Sequence, residues 1–177
     1  MDGSNIFLVG MMGAGKTTLG KTLAQRLQLE FVDTDRILVE RTGVPVATIF
    51  EIEGEAGFRK RETQAIAELC EQQGCVVATG GGAILAEENR VAMRNNGTVV
   101  YLRARLENLW ERTRHDSSRP LLATVDPRAT LAHLLEIRDP LYKEAAHLIV
   151  DTGTQSASAL VSRVVAALRE RTSGARA

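Results

Sequence analysis

The run Gly10-Met11-Met12-Gly13-Ala14-Gly15-Lys16-Thr17 constrains this chain more than any other stretch, because it fits the pattern G-x-x-x-x-G-K-[ST] in the surroundings that pattern needs. Ile6-Phe7-Leu8-Val9 before it reads as a short buried strand, and Thr18 to Leu27 after it carries apolar residues at helical spacing. Strand, glycine loop and helix start form one physical device. Glycines let the backbone curl so that its N–H groups point inward at phosphate oxygens, and the helix N-terminus adds partial positive charge. Lys16 is expected to reach the β- and γ-phosphates of a nucleotide, and Thr17 to offer its hydroxyl to Mg²⁺. An incidental glycine-rich turn would lack the flanking strand and helix.

The rest of the chain repeats the alternation. Strands are expected at Glu30–Asp33, Cys75–Ala78, Thr98–Leu102 and His147–Val150, and helices over 36–41, 53–73, 87–96, 106–114, about 127–146 and 156–169. Val46–Phe50 reads as a short apolar element of its own. Asp126-Pro127 is a strong helix start, with Asp as cap and Pro at the first helical position, and the tail 171–177 is expected to fray. Five short apolar strands separated by helices predict an α/β fold, a parallel sheet with helices on both faces. Such sheets bind ligands beyond the carboxyl ends of their strands, which gathers the glycine loop, Asp33 and Gly80–Gly82 at one edge. At 177 residues this is one domain, 1–177.

Several function classes are excluded. The 22 basic and 22 acidic residues cancel, so no global field steers the chain toward nucleic acid or an anionic membrane. No apolar run approaches the ~20 residues that span a bilayer, and no export signal is evident, so a cytoplasmic location is expected. Cys70 and Cys75 match no familiar zinc spacing and are expected to be reduced and buried. His115, His133 and His147 form no metal-ligand pattern and are read as structural or surface residues.

Asp33-Thr34-Asp35 follows a strand, and two acids one residue apart at such an edge can split roles. Asp33 would hold Mg²⁺, directly or through water, while Asp35 accepts a hydrogen bond from a substrate hydroxyl. Taken alone, a helix cap is the better reading for such an Asp. Beside a phosphate loop the functional reading overtakes it. Gly80-Gly81-Gly82 costs strand and helix stability, so close backbone approach or positive φ must be required there. Bare amides in that run would bind a substrate oxygen; a tight turn is the plainer alternative. Arg59 and Arg138 are candidates for an anionic substrate, since a guanidinium grips a carboxylate in a planar fork. For an unselected Arg, a solvated salt bridge is the better reading. The stretch from Arg103 to Arg119 holds five Arg and ends in Ser117-Ser118-Arg119-Pro120-Leu121-Leu122, which suggests a lid closing over ATP.

Taken together, the loop at Gly10–Thr18, Asp33-Thr34-Asp35, the Gly-Glu-x-x-Phe-Arg run at Gly54–Arg59, Gly80–Gly82, Arg119-Pro120-Leu121-Leu122 and Arg138-x-x-Leu-Tyr ending at Tyr142 resemble the shikimate kinase family along nearly the whole chain. The resemblance implies an adenylate-kinase-like P-loop fold with a five-stranded parallel sheet in the order 2-3-1-4-5. It implies transfer of the γ-phosphoryl group of ATP to the 3-hydroxyl of shikimate, with Mg²⁺ as cofactor. A substrate-binding segment over about 33–62 and a lid over about 112–124 would be mobile. ATP would meet Gly13, Ala14, Gly15, Lys16, Thr17, Thr18 and Arg119. Shikimate would meet Asp35, Arg59, Gly80, Gly81, Gly82 and Arg138. Thr17 and Asp33 would serve the metal, and Lys16, Asp35 and Arg119 the chemistry. Where some members carry an Arg after the last strand, this chain has Gly153-Thr154-Gln155, with Gln155 the candidate adenine contact. A monomer with no nucleic-acid or membrane partner is expected.

The nearest alternative is a related kinase for gluconate or a nucleoside monophosphate. The paired acids and the two arginines favour a polyhydroxylated carboxylate. A GTP-dependent switch would carry an Asn-Lys-x-Asp guanine signature, and none is present. An inactive scaffold has no reason to keep Lys16, Thr17 and the paired acids.

Overall fold

A computed structural model describes residues 4–116, 119–153 and 155–174. Five parallel strands form one sheet in the order β2-β3-β1-β4-β5: β1 Asn5–Val9, β2 Glu30–Asp33, β3 Cys75–Ala78, β4 Gly97–Ala104 and β5 Leu148–Thr152. β1 and β3 are buried at every residue, as strands covered on both faces must be. Phe7 of β1 stands beside Val77 on one side and Val99 on the other. The helices are α1 Lys16–Leu27, α2 Thr34–Thr42, α3 Val46–Cys70, α4 Glu87–Asn95, α5 Leu106–Thr113, α6 Pro127–Ala145 and α7 Ala157–Gly174. α1 packs with α7, while α3, α4 and α6 form a second group, α4 and α6 lying against β4.

The expected fold class and strand order are present, and so are the details of some helix ends. Asp126 caps α6 by accepting from the Ala129 N–H at 2.9 Å, with Pro127 as its first residue. Other boundaries move for physical reasons. α1 begins at Lys16 because Gly15, at φ 94°, turns the chain straight from loop into helix. Val46–Phe50 is not a separate element but the first turns of α3, whose helical course breaks at Gly54 (φ 68°, ψ 178°) and resumes to Cys70, short of the expected Gln73. β5 starts at Leu148 because His147 is used otherwise: its N–H donates to the Val99 carbonyl at 2.8 Å and its Nδ1 accepts the Val99 N–H at 3.0 Å. His115 and His133 are exposed. α7 continues to Gly174, so the tail is helical well past Arg169, and 175–177 lie outside the described residues.

Both cysteines carry free thiols, Cys75 buried and Cys70 only partly so. Burial pushes the Cys70 thiol up to about 11, which makes it a poor nucleophile. Among the described residues no helix is long and apolar enough to cross a membrane.

Most buried side chains belong to one core around the sheet. Leu38, Ile49, Phe58 and Ala65 form a second, smaller cluster between α2 and α3, with the rings of Phe50 and Phe58 4.6 Å apart. That satellite core gives the segment after β2 a packed interior of its own.

At the amino end of the sheet, Asn5 ties three elements together. Its amide donates to the carbonyls of Leu69 at 3.0 Å and Gln72 at 2.8 Å, and its oxygen accepts the Cys75 N–H at 3.0 Å. Asn5→Ala leaves the buried Cys75 N–H without its partner and removes two further bonds, so urea unfolding should show a loss of about 1–3 kcal/mol. A loss well under about 1 kcal/mol would mean that the three bonds contribute little.

Candidate active site

The expected site residues converge at the carboxyl edge of the sheet, the loop residues placed by strand ends and helix starts, and Arg59 and Arg138 by the interiors of α3 and α6. The loop between β1 and α1 positions Lys16, whose ammonium folds back and donates to the carbonyls of Gly10 at 2.7 Å and Met11 at 2.9 Å. Burial pushes its pKa down to about 8, against the pull of Asp35. Next to it, Thr17 Oγ1 donates to Asp33 Oδ2 at 2.8 Å.

Asp33 caps α2 through one oxygen and turns the other toward the phosphate loop. Its Oδ1 accepts the N–H groups of Asp35 and Arg36 at the start of α2, and its Oδ2 faces Thr17. Asp35, in the first turn of α2, keeps a buried Oδ1 with no hydrogen-bond partner. Burial and then the neighbouring Asp33 push its carboxyl pKa up, with Lys16 and Arg119 opposing.

Close approach accounts for two of the three glycines after β3, Gly80 and Gly82. None of Gly80, Gly81 or Gly82 has positive φ. A Cβ on Gly80 would overlap Glu62 Oε1 and lie 3.0 Å from Asp35 Oδ1, and a Cβ on Gly82 would overlap the Arg59 guanidinium. The turn itself is anchored by Thr34, whose hydroxyl accepts the Gly80 N–H at 2.9 Å, and by Tyr142, whose hydroxyl donates to the Gly81 carbonyl.

Both arginines lie at this turn. Arg138, from α6, is only 2% exposed, and its Nε and Nη1 have no hydrogen-bond partner. Burial lowers its pKa, since nothing there compensates the charge fully. Arg59, from α3, donates through Nη1 to Glu62 Oε2 at 2.7 Å and through Nη2 to Glu55 Oε1 at 3.0 Å. From the other side comes Arg119, whose Nε donates to Asp116 Oδ2 at 2.8 Å. Ser117 and Ser118, expected in the lid, lie outside the described residues.

These groups surround a cavity of about 460 Å³. Asp35, Arg59, Glu62 and Arg138 form its polar wall, Val46, Phe50 and Phe58 its apolar wall, and Arg119, Pro120 and Leu121 its lid side. A larger open groove of about 1200 Å³ lies along the ends of β4 and β5, lined by Arg103, Asp139 and Asp151 among others. Arg103 there is paired to Asp151, at 2.6 Å, so the unpartnered buried charges mark the smaller cavity as the reactive one.

Two residues were not legible as site residues. Glu62 is fully buried and has an unpartnered Oε1; burial pushes its carboxyl pKa up against the opposing pull of Arg59. Its spacing of three from Arg59 on one helix was the available signal. Arg112 donates to the carbonyls of Gly13 at 3.1 Å and Gly153 at 3.0 Å, joining the phosphate loop to the segment after β5. Nothing in the sequence separates it from four neighbouring arginines. Gln155 accepts from Arg163 at 2.9 Å, and Thr154 lies outside the described residues.

Among the described residues no cluster of three or more His, Cys, Asp or Glu could hold a metal alone. Thr17 and Asp33 nonetheless fit Mg²⁺, which takes one or two protein oxygens and completes its shell with phosphates and water.

Comparison with known proteins agrees with this geometry. Residues 12–169 match the family model for shikimate kinase. The shikimate kinase of Nitrosospira multiformis is 57% identical over 86% of this chain and 78% of its own, and that of Ralstonia nicotianae 56% identical over 93% and 87%. The shikimate kinase from Acinetobacter baumannii, solved in complex with shikimate, superposes with a TM-score of 0.93 at 45% identity over 95% of this chain and 94% of that one. A gluconokinase from Sinorhizobium meliloti shares the fold alone, with a TM-score of 0.59 at 19% identity.

The lowered pKa of Lys16 makes ligand binding proton-linked. A polyphosphate at the loop favours the charged ammonium and raises the pKa from about 8. Binding at about pH 9 should therefore take up protons, and at about pH 6.5 uptake from Lys16 should vanish because it is already charged. Calorimetry of ADP binding in two buffers of different ionisation enthalpy measures this, and Lys16→Met should abolish the uptake at the higher pH. Equal uptake by that variant would assign the proton elsewhere.

Proposed function

Because the chain belongs to the shikimate kinase family, we propose that it transfers the γ-phosphoryl group of ATP to the 3-hydroxyl of shikimate. The products are ADP and shikimate 3-phosphate, on the route to aromatic amino acids. One observation carries the reading. Beside a phosphate loop, a cavity presents Arg138 with two unpartnered buried donors and Asp35 with one unpartnered buried acceptor. The cation calls for a carboxylate and the acceptor for a hydroxyl, and shikimate carries both.

The roles follow from the side chains. Arg138 and Arg59 hold the carboxylate, with the Gly81 amide alongside and Gly80 and Gly82 leaving the room it needs. Asp35 accepts from the reacting hydroxyl and aligns it with the loop. The amides of Gly13, Gly15 and Thr18 cradle the phosphates, Ala14 shapes the loop by donating its N–H to the Met11 carbonyl, and Lys16 exchanges the carbonyls of Gly10 and Met11 for the β- and γ-oxygens. Arg119 leaves Asp116 and neutralises the transferring group. Thr17 and Asp33 would hold Mg²⁺, which when bound would supply charge neutralisation to the nucleotide phosphates. Phosphoryl transfer asks mainly for in-line placement and neutralised charge, and these residues supply both.

Residues 33–62 act as the substrate-binding segment and 112–124 as the lid, both closing on the cavity and excluding water. The satellite core around Leu38, Ile49 and Phe58 supports motion of the first as a unit. The enzyme works as a cytoplasmic monomer without nucleic-acid or membrane partners, in keeping with its balanced charge.

A coupled assay of ADP release decides among acceptors: turnover is expected with shikimate, and activity on gluconate or nucleoside monophosphates with none on shikimate would overturn the assignment. Arg59→Ala and Arg138→Ala should each raise KM for shikimate by about tenfold to over a hundredfold, and KM for ATP far less. Unchanged shikimate saturation in both removes them from the site. Lys16→Ala should abolish turnover with the circular dichroism spectrum intact, and retention of most of kcat would contradict its role.

A further inference from the structure

Arg59 holds two carboxylates of very different standing. Glu62 takes Nη1 at 2.7 Å and is fully buried, so it is a permanent partner. Glu55 takes the opposite edge, where Nε at 3.3 Å and Nη2 at 3.0 Å both donate to its single oxygen Oε1. Glu55 is 48% exposed, and among the described residues its carboxylate has no hydrogen-bond or ion-pair partner besides Arg59. The Nε–Nη2 edge is the edge through which a guanidinium grips a carboxylate with two parallel bonds. One shared oxygen uses that edge poorly. The guanidinium meanwhile lies against Gly82, at the wall of the cavity, so its place does not depend on Glu55.

The local charges explain why such an occupant is present. Arg59 and Arg138 both face the cavity, yet Arg138 has no carboxylate on Nε or Nη1. An arriving substrate carboxylate serves both cations, and a second carboxylate left on Arg59 would oppose it. Glu55 can leave by a side-chain rotation toward solvent. It directly follows Gly54, where the helix is broken and the backbone stands in open space.

We infer that Glu55 is a displaceable internal carboxylate, which occupies the outer edge of Arg59 in the empty site and gives it up to the carboxylate of the incoming substrate. Glu55 thereby sets the affinity for the anionic acceptor and acts through Arg59 as a positioning residue. The inference rests on the assignment of the cavity to a carboxylate-bearing acceptor.

Steady-state kinetics of Glu55→Gln and Glu55→Asp test it, together with calorimetric titration of shikimate into the unaltered protein. A half-exposed ion pair is a weak competitor, so KM for shikimate should fall about two- to fivefold in Glu55→Gln, with kcat and KM for ATP moving less. Glu55→Asp should show the same fall, because its carboxylate is one methylene short of a contact already at 3.0–3.3 Å. Shikimate amide, which has no carboxylate to exchange, should bind the variants no better than the unaltered protein. A raised or unchanged KM in Glu55→Gln overturns displacement in favour of a purely supporting contact. A gain in Glu55→Gln without one in Glu55→Asp overturns it in favour of a general field. Failure of the unaltered protein to bind shikimate at all would instead overturn the assignment of the cavity.

Discussion

The burial of Arg138 without partners for two of its nitrogens is the constraint around which the site is organised. A buried charge is costly unless it is compensated, and this one is compensated only partly by the chain itself. Its neighbours show the same incompleteness, with orphan oxygens on Asp35 and Glu62. Such a cluster persists because the surrounding sheet, buried along β1 and β3, is stable enough to hold it. The glycine turn after β3 then lets these side chains approach the backbone more closely than any Cβ would permit.

A second regularity concerns the cations. Lys16 rests on the carbonyls of its own loop and Arg119 on Asp116, while Arg59 keeps Glu62 on one edge and carries Glu55 on the other. In the function proposed above, each of these cations would exchange an exposed or backbone contact for a ligand anion. Cations held in this way need little rearrangement when ligands arrive, which is what phosphoryl transfer asks of them. Arg138 is different, since burial and its contact with Tyr142 keep it in place without a carboxylate on Nε or Nη1.

Much of this was legible in particular residues. The loop at Gly10–Thr17 announced itself because strand, glycines and helix start must be adjacent in sequence to work at all. Asp33 was legible as cap or as functional acid, and the fold shows the cap on one oxygen and Thr17 on the other. Gly80–Gly82 demanded either positive φ or close approach, and only packing could choose approach. Arg59 and Arg138 stood out through family resemblance, because spacing alone does not separate a substrate-binding Arg from a solvated one. Glu62 and Arg112 stayed hidden for the same reason: their partners are made by the fold, across helix and loop. The break at Gly54 made two elements of one helix in the sequence pattern.

What the chain determines by itself is therefore what acts over short range. Apolar runs, caps such as Asp126-Pro127 and the phosphate loop depend on neighbours a few residues away, and they set the parallel sheet and the nucleotide-binding edge. Which carboxylate faces which guanidinium, which donors stay unpaired and how far a lysine is stripped of water depend on segments distant in sequence and brought together by packing. Coulomb energy and desolvation are functions of distance in space and depth below the surface. Only the folded molecule defines either quantity.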